Sequence, residues 1–415
     1  MSTDILSNLT RSSSGGDAPV KGATRWDIWL LAAVFVLVAF GLVMLYSSSA
    51  VMASQRMGEH FVLLKSQSQR VVIGVVAMLI ALRLDYRWYK RLIYPILGVT
   101  VVLLILVLIP GVGVVQNGAR RWFSLGGFSL QPAEISKLTA VMFLAYSVSK
   151  KGKRMGSFSI GFLPHLFIIG LMSGLLLLQP DFGSAVMLVS MMMLMLFVSG
   201  AKLSYLFGFT LTGSALAYFA ISGSEYRMRR ILAFLDPWSH RQDIGYQISE
   251  SLIAIGSGGL PGKGLGNGTG KLGYVPELWN DFIATIVAEE LGIFGIVVLV
   301  SLFLVILWRG TKIAYGATDK FGLYLAFGIT AMFALQAMAN LFVVTGMLPT
   351  KGLTLPFVSF GGTSMIIGLF AVGILLNISR NEPDTWEADR EERHRLKEER
   401  RWEKKRRKII RRRDS

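Results

Sequence analysis

Tyr274-Val-Pro-Glu-Leu-Trp-Asn-Asp281 runs straight into Phe282-Ile-Ala-Thr-Ile-Val-Ala-Glu-Glu-Leu-Gly-Ile-Phe-Gly-Ile-Val-Val-Leu-Val-Ser-Leu-Phe-Leu-Val-Ile-Leu307. The second stretch is longer than the ~20 apolar residues that cross a ~30 Å hydrocarbon core, so it reads as a membrane-spanning helix. The first is a polar turn that sets Asp281 at the helix mouth. An ionisable residue in that position marks a functional site by default. The bland alternative is an N-cap, a carboxylate that only satisfies the first helical N–H groups.

The rest of the chain fits that reading. Of its 415 residues, 53% are hydrophobic and 17% charged, where a soluble domain carries about 25% charged. Apolar runs fall at roughly 26–48, 67–84, 92–110, 133–149, 159–178, 182–200, 203–221, 282–307, 321–344 and 363–379. The expected fold class is an all-α polytopic membrane protein. It has ten transmembrane helices and a long extracytoplasmic loop, residues 222–281, between helices 7 and 8. The expected organisation is a disordered cytoplasmic tail over 1–25, a membrane domain over 26–380 and a basic cytoplasmic tail over 381–415. The chain has no Cys, which excludes disulfides and thiolate catalysis. Its four His are scattered, against a His-based zinc site.

Short-loop charge sets the orientation. Arg83, Arg87, Lys90 and Arg91 share one side with Lys150, Lys151, Lys153 and Arg154, then Lys202, Arg309, Lys312 and Lys320. The opposite short loops hold fewer, such as Arg120, Arg121 and Lys351. Positive-inside puts both termini in the cytoplasm. Net charge is +17, and Arg400–Arg413 is almost continuously basic. This tail is either solvated or laid on anionic inner-leaflet lipids. No folded soluble domain accompanies it, so nucleic acid is not an expected partner.

Polar chemistry gathers on the outer side. Pro132 opens a helix, Glu134 sits in its first turn, and Lys137 follows three residues later on the same face. Asp181, in Gln179-Pro-Asp-Phe-Gly183, is a candidate N-cap. The long loop contributes Arg230 and Glu277, and Gly256–Gly273 carries Gly at nearly every second position. The Walker spacing fails there, but exposed N–H groups in such a loop bind anions. Gly346–Ser364 mixes Pro, Gly, apolar residues and Lys351, which suits a re-entrant segment lining a cavity. Carboxylates and cations, Arg121 among them, thus face one side. Such a pocket suits an anionic lipid with a polar head and a proton-transfer step.

Several motifs are recognisable together. They include Gly-Ala-Arg-Arg-Trp at 118–122, Gln-Pro-Ala-Glu at 131–134, Gln-Pro-Asp-Phe-Gly at 179–183 and Arg-Ile-Leu-Ala-Phe-Leu-Asp-Pro-Trp at 230–238. Further along stand Gly-Lys-Gly-Leu-Gly at 262–266, Glu-Glu-Leu-Gly at 289–292 and Leu-Pro-Thr-Lys-Gly-Leu-Thr-Leu-Pro-Phe-Val-Ser at 348–359. Over residues 26–380 the chain resembles the SEDS family (shape, elongation, division and sporulation). The segment Gly41-Leu-Val-Met-Leu-Tyr-Ser, the N-terminal extension and the basic tail look more like its division branch than its elongation branch.

The resemblance implies a bacterial inner-membrane peptidoglycan glycosyltransferase at the division septum. It would polymerise lipid II beside a class B penicillin-binding protein and other divisome membrane proteins. The resemblance puts the family's essential aspartate at Asp281 and carries functional weight onto Glu134, Lys137 and Lys351. One departure stands out. The family usually reads Pro-Glu-Ala-His-Thr-Asp-Phe, and here Leu278-Trp279-Asn280 replaces Ala-His-Thr. Asp281 is the candidate general base, with Arg121, Lys137, Arg230 and Lys351 as candidates for holding pyrophosphate and Asp181 and Glu277 in support. A divalent cation on Asp281 stays open, although the sequence shows no ligand cluster for one. A lipid II flippase and a non-catalytic divisome scaffold stay open as alternatives.

Overall fold

The computed structural model describes residues 26–380, apart from Asn117, Gly127, Ser224, Ile244, Gly273, Tyr274, Pro276, Glu277 and Lys351. Both expected tails, 1–25 and 381–415, lie outside the described residues.

Each apolar run becomes a long helix. In chain order these are α1 (Ile28–Met57), α2 (Val62–Arg83), α3 (Arg87–Leu106), α4 (Pro132–Lys151), α5 (Leu163–Leu178), α6 (Phe182–Val198) and α7 (Leu203–Ser222). Two shorter helices follow, α8 (Glu225–Leu235) and α9 (Tyr246–Gly258). Then come α10 (Ile283–Gly316), α11 (Lys320–Val344) and α12 (Gly362–Arg380). Seven described helical segments are both long and apolar enough to cross a membrane, and α6 is a shorter apolar helix. Several helices outrun their apolar stretch. The first extends to Met57 and α10 to Gly316, past Arg309 and Lys312. Hydropathy reports the hydrocarbon slab, whereas helical hydrogen bonding continues beyond it.

The fold is not purely helical. Between α3 and α4 the chain forms a three-stranded antiparallel sheet in the order β1 (Val114–Gln116), β2 (Ala119–Leu125), β3 (Phe128–Leu130). Valine and aromatic residues favour that pleated surface. The segment is too short and too charged to register against the apolar runs. Thr363 Oγ1 ties its end to α12, accepting from Gln131 N at 2.9 Å and donating to Ser129 O at 3.1 Å.

The core lies around α11, which packs against α10, α4, α6 and α12. Residues from Phe321 through Leu325, Ile329 and Phe333 to Val344 are buried along it. At the end where sequence predicts cytoplasm, two sets of polar contacts fasten helix ends together. Asp27 caps α1 through Leu30 N at 2.9 Å and meets Arg309 of α10 at 2.7 Å. Tyr86 Oη donates to Asp319, while its backbone N–H donates to Asn377 of α12. Desolvation raises the Tyr86 phenol above its ordinary pKa, which keeps it a donor.

α10 is broken at Gly292, whose φ is +64°. The Gly259–Gly264 turn enters the break. Lys263 N and Gly264 N donate to the carbonyls of Glu289 and Glu290 at 3.0 and 2.9 Å, and Ile293 N donates to Gly259 O at 3.2 Å. A Cβ on Gly292 would stand 2.3 Å from Leu260 O. Gly292→Ala is therefore expected to cost about 2–4 kcal/mol, from left-handed strain plus a backbone clash. Gly170→Ala, where a Cβ meets nothing within 4 Å, should leave stability within about 1 kcal/mol. Thermal unfolding in one detergent compares the two, and equal midpoints would contradict the wedge.

Candidate active site

Gln131 is the N-cap of α4 and Pro132 its first residue, so Glu134 falls in the first turn and Lys137 one turn deeper. Lys137 Nζ donates to Glu134 Oε1 at 2.8 Å, with the two residues 1% and 8% exposed. A pair this buried does not form for surface solubility, because desolvating both charges costs several kcal/mol per ion. A cavity of about 10 Å³ lies beside it, close to the space one water needs. Gln336 of α11, Ser364 and Gly368 of α12, and Pro356 and Phe357 of the preceding segment also line it. Phe357 holds φ +65°, a costly backbone state for a bulky residue. Residues 352–361 form no helix, and most are buried among the helices, in line with a re-entrant segment.

Asp281 does not line that cavity, but α11 joins the two. Gln336 Nε2 donates to Thr354 O at 3.2 Å, and Thr354 Oγ1 pairs with Ser364 Oγ at 3.2 Å. One turn on, Asn340 Nδ2 donates to Leu353 O at 2.6 Å and to Asp281 O at 2.8 Å. The two carbonyls before Asp281 are also taken. Ser359 Oγ donates to Asn280 O at 2.6 Å and Phe360 N to Trp279 O at 3.0 Å. Three successive carbonyls are thus pinned by one side of the fold. Asp281 is not the N-cap of α10, since Phe282 occupies that position. Its carboxylate lies against Gly352, where a Cβ would stand 3.2 Å from Oδ2. Gly352 directly follows Lys351 in sequence.

The glycine-rich loop binds an anion, and the anion is the protein's own. Glu289 and Glu290 of α10 are both fully buried. Glu289 accepts from Thr269 N at 2.8 Å, Gly270 N at 3.1 Å and Lys263 Nζ at 2.7 Å. Glu290 accepts from Gly266 N at 3.0 Å, Gly268 N at 3.1 Å, Lys271 Nζ at 3.0 Å and Ser47 Oγ of α1 at 2.6 Å. These two carboxylates had no role assigned in the sequence reading. The signal was present, because adjacent acids inside an apolar run need partners from elsewhere in the chain.

The remaining candidates are placed as follows. Asp181 caps α6, accepting from Ser184 N at 3.1 Å and Ser184 Oγ at 2.8 Å. Arg121 donates to Gln179 O at 3.0 Å and to Pro180 O, so the hairpin is fastened to the α5–α6 turn. Arg230 sits in α8, with its side chain outside the described residues. Glu277 and Lys351 also lie outside the described residues. Beyond Arg230 in the same loop, α9 packs on α10. Its Glu250 holds Arg241 at 2.8 Å. In the adjoining turn, hydrogen bonds from Ser239 hold the Asp236 carboxyl below the usual range. No group of three His, Asp or Glu is arranged to hold a metal among the described residues.

Comparisons give this architecture its family. A family model described as "Cell cycle protein", FTSW_RODA_SPOVE, matches residues 28–384. The chain belongs to this family. It is 44% identical over 360 residues to a probable peptidoglycan glycosyltransferase FtsW of Geobacter metallireducens, covering 87% of this chain and 96% of the relative. It is 42% identical to stage V sporulation protein E of Bacillus subtilis, covering 86% and 98%. Among solved structures, a chain of a peptidoglycan synthase complex that couples polymerization and crosslinking superposes with TM-score 0.73 at 29% identity, covering 86% of this chain and 98% of that one. Rod shape determining protein RodA of Thermus thermophilus gives TM-score 0.63 at 28% identity, covering 86% and 97%.

The Glu134–Lys137 pair can be tested alone. Glu134→Gln leaves a buried ammonium without its carboxylate and should cost about 3–5 kcal/mol. Adding Lys137→Met should recover most of that loss. Thermal unfolding of both single variants and the double variant measures the coupling. Additive losses would mean the pair does not act as a unit.

Proposed function

We propose that this chain is a peptidoglycan glycosyltransferase that polymerises lipid II at the outer face of a bacterial inner membrane, during septal wall synthesis. The observation that carries it is the pairing on α11. Gln336 and Asn340, one turn apart, join the buried Glu134–Lys137 pair to the strand that bears Asp281. Kinship with chains named as glycosyltransferases supports the same reading.

In this proposal the ten long helices all span the membrane and both termini are cytoplasmic. Residues 222–281 form the extracytoplasmic loop between helices 7 and 8, and residues 1–25 and 381–415 are tails outside the membrane domain. The growing strand carries undecaprenyl pyrophosphate on its reducing-end sugar. The 4-hydroxyl of an incoming lipid II attacks that anomeric carbon, a new glycosidic bond forms, and the bond to pyrophosphate breaks. Asp281 takes the hydroxyl proton. Pinning of three consecutive carbonyls fixes where its carboxylate stands, which is the positional control a general base requires. Lys137, Lys351 and Arg230 supply positive charge to the departing pyrophosphate. Arg121 and Asp181 shape the wall around it, and Glu277 stands four residues before the base. A divalent cation held by Asp281 would instead acidify the attacking hydroxyl, in place of direct proton transfer to the carboxylate.

The partner in this proposal is a class B penicillin-binding protein, alongside other divisome membrane proteins. A solved relative belongs to a synthase complex of that general kind. A flippase would hold its substrate near the midplane, accessible from both sides. Here the joined polar groups lie at the ends of helices, at Glu134 in the first turn of α4 and Asp281 before α10.

Asp281→Asn tests the base. Purified with its partner and supplied with lipid II, it should polymerise at least about 100-fold more slowly, the usual reach of a lost general base. Its thermal midpoint should match the wild type. Glycan strands formed at the wild-type rate would refute the assignment.

A further inference from the structure

We propose that a groove between α3, α4 and α11 binds a phospholipid whose headgroup carries two phosphates. The groove lies at the end of the bundle that charge counting puts in the cytoplasm, away from Asp281. Its volume is about 310 Å³. Lys90, Lys150 and Lys320 line it together with Tyr146 and Asp319. These lysines come from three different helix ends. Lys90 is in the first turn of α3, Lys150 in the last turn of α4, and Lys320 is the first residue of α11. Helix packing therefore gathers three cations that the sequence spreads over 231 positions. None of the three makes an ion pair among the described residues.

Asp319 offsets one of these charges and leaves the lining at a net +2. Its Oδ1 caps α11 through Gly322 N at 2.8 Å and accepts from Tyr86 Oη at 2.9 Å. A net positive groove at a membrane boundary is suited to an anionic headgroup.

What lies deeper argues for a lipid over a free anion. Tyr94 is one turn beyond Lys90, and Tyr146 one turn before Lys150. Their rings meet edge-on at 5.7 Å. Tyr94 is 59% exposed, at the depth where aromatic residues sit in the interface. The same stripe of α3 continues through Gly98 to Val102, four residues at a time. A Cβ on Gly98 would meet nothing within 4 Å, and Val102 is exposed. Cations, an aromatic step and an exposed stripe of α3 thus follow in the order of headgroup, glycerol and acyl chain. A net charge of +2 matches the two charges of a bisphosphate headgroup better than a single phosphodiester.

Cardiolipin binding to the purified full-length protein, followed by native mass spectrometry in detergent, tests this. Phosphatidylcholine and inorganic pyrophosphate serve as competitors. Cardiolipin should bind and resist both. Lys90→Gln and Lys320→Gln should each weaken it about fivefold, and the triple variant with Lys150→Gln on the order of a hundredfold. Gly98→Leu keeps every charge and should also weaken cardiolipin, by placing a side chain where an acyl chain would lie along α3. Lipid-free thermal midpoints confirm that the variants fold. Wild-type affinity in the triple variant would overturn the proposal and shift the binding to the basic tail. Displacement by equimolar pyrophosphate would overturn it in favour of a free-anion site.

Discussion

Two adjacent carboxylates inside a long apolar helix set the terms for the half of this fold that holds Asp281. Glu289 and Glu290 are fully buried, and a charge in that position must be met by donors or neutralised. The chain meets them with backbone N–H groups from residues 266–270 and with Lys263 and Lys271. Three consequences follow. The glycine-rich loop is drawn down onto α10 rather than extended into solvent. α10 must break, because the carbonyls of Glu289 and Glu290 accept from the loop. α1 is tied in through Ser47. The loop thereby becomes part of the domain wall, and the chain leading from it to Asp281 starts from a fixed anchor.

From that anchor the second half of the site is set by α11. Gln336 and Asn340 are buried amides on a mostly apolar helix. A buried amide without partners is costly, so each must face backbone that cannot satisfy itself. The re-entrant segment before α12 supplies such backbone at Thr354 and Leu353, and Asn340 also reaches Asp281 O. Irregular backbone is tolerated at membrane depth only where protein buries it. The requirement that stabilises residues 352–361 is therefore the same one that holds the Asp281 strand against them.

Much of the membrane domain was legible from hydropathy, because each apolar run reports a slab of fixed thickness. Glu134 and Lys137 were legible as a pair for a similarly local reason, being three residues apart behind a proline. What the sequence could not reveal depends on contacts distant in the chain. The β1–β3 sheet hides in three short stretches whose pleat emerges only on pairing. The glycine loop announced an anion site but not that Glu289 and Glu290 fill it. Asp281 read as a cap or a base, and the folded turn, with Phe282 in the capping position, sets the cap aside. Asn340 and Ser359 gave no local signal, since their targets lie 59 and 79 positions away.

The same geometry accounts for the departure at Leu278-Trp279-Asn280. These residues replace three that the family pattern usually holds beside the aspartate, so a side-chain role for them would disturb the site. Yet the contacts that position this strand run through its backbone, to the carbonyls of residues 279, 280 and 281. Leu278 is buried in the core and Trp279 packs against it. Both contribute apolar area, which many sequences supply equally well. Leu278 and Trp279 can thus change as long as their replacements fill the core. Asn340, Ser359 and the Phe360 amide continue to hold the strand.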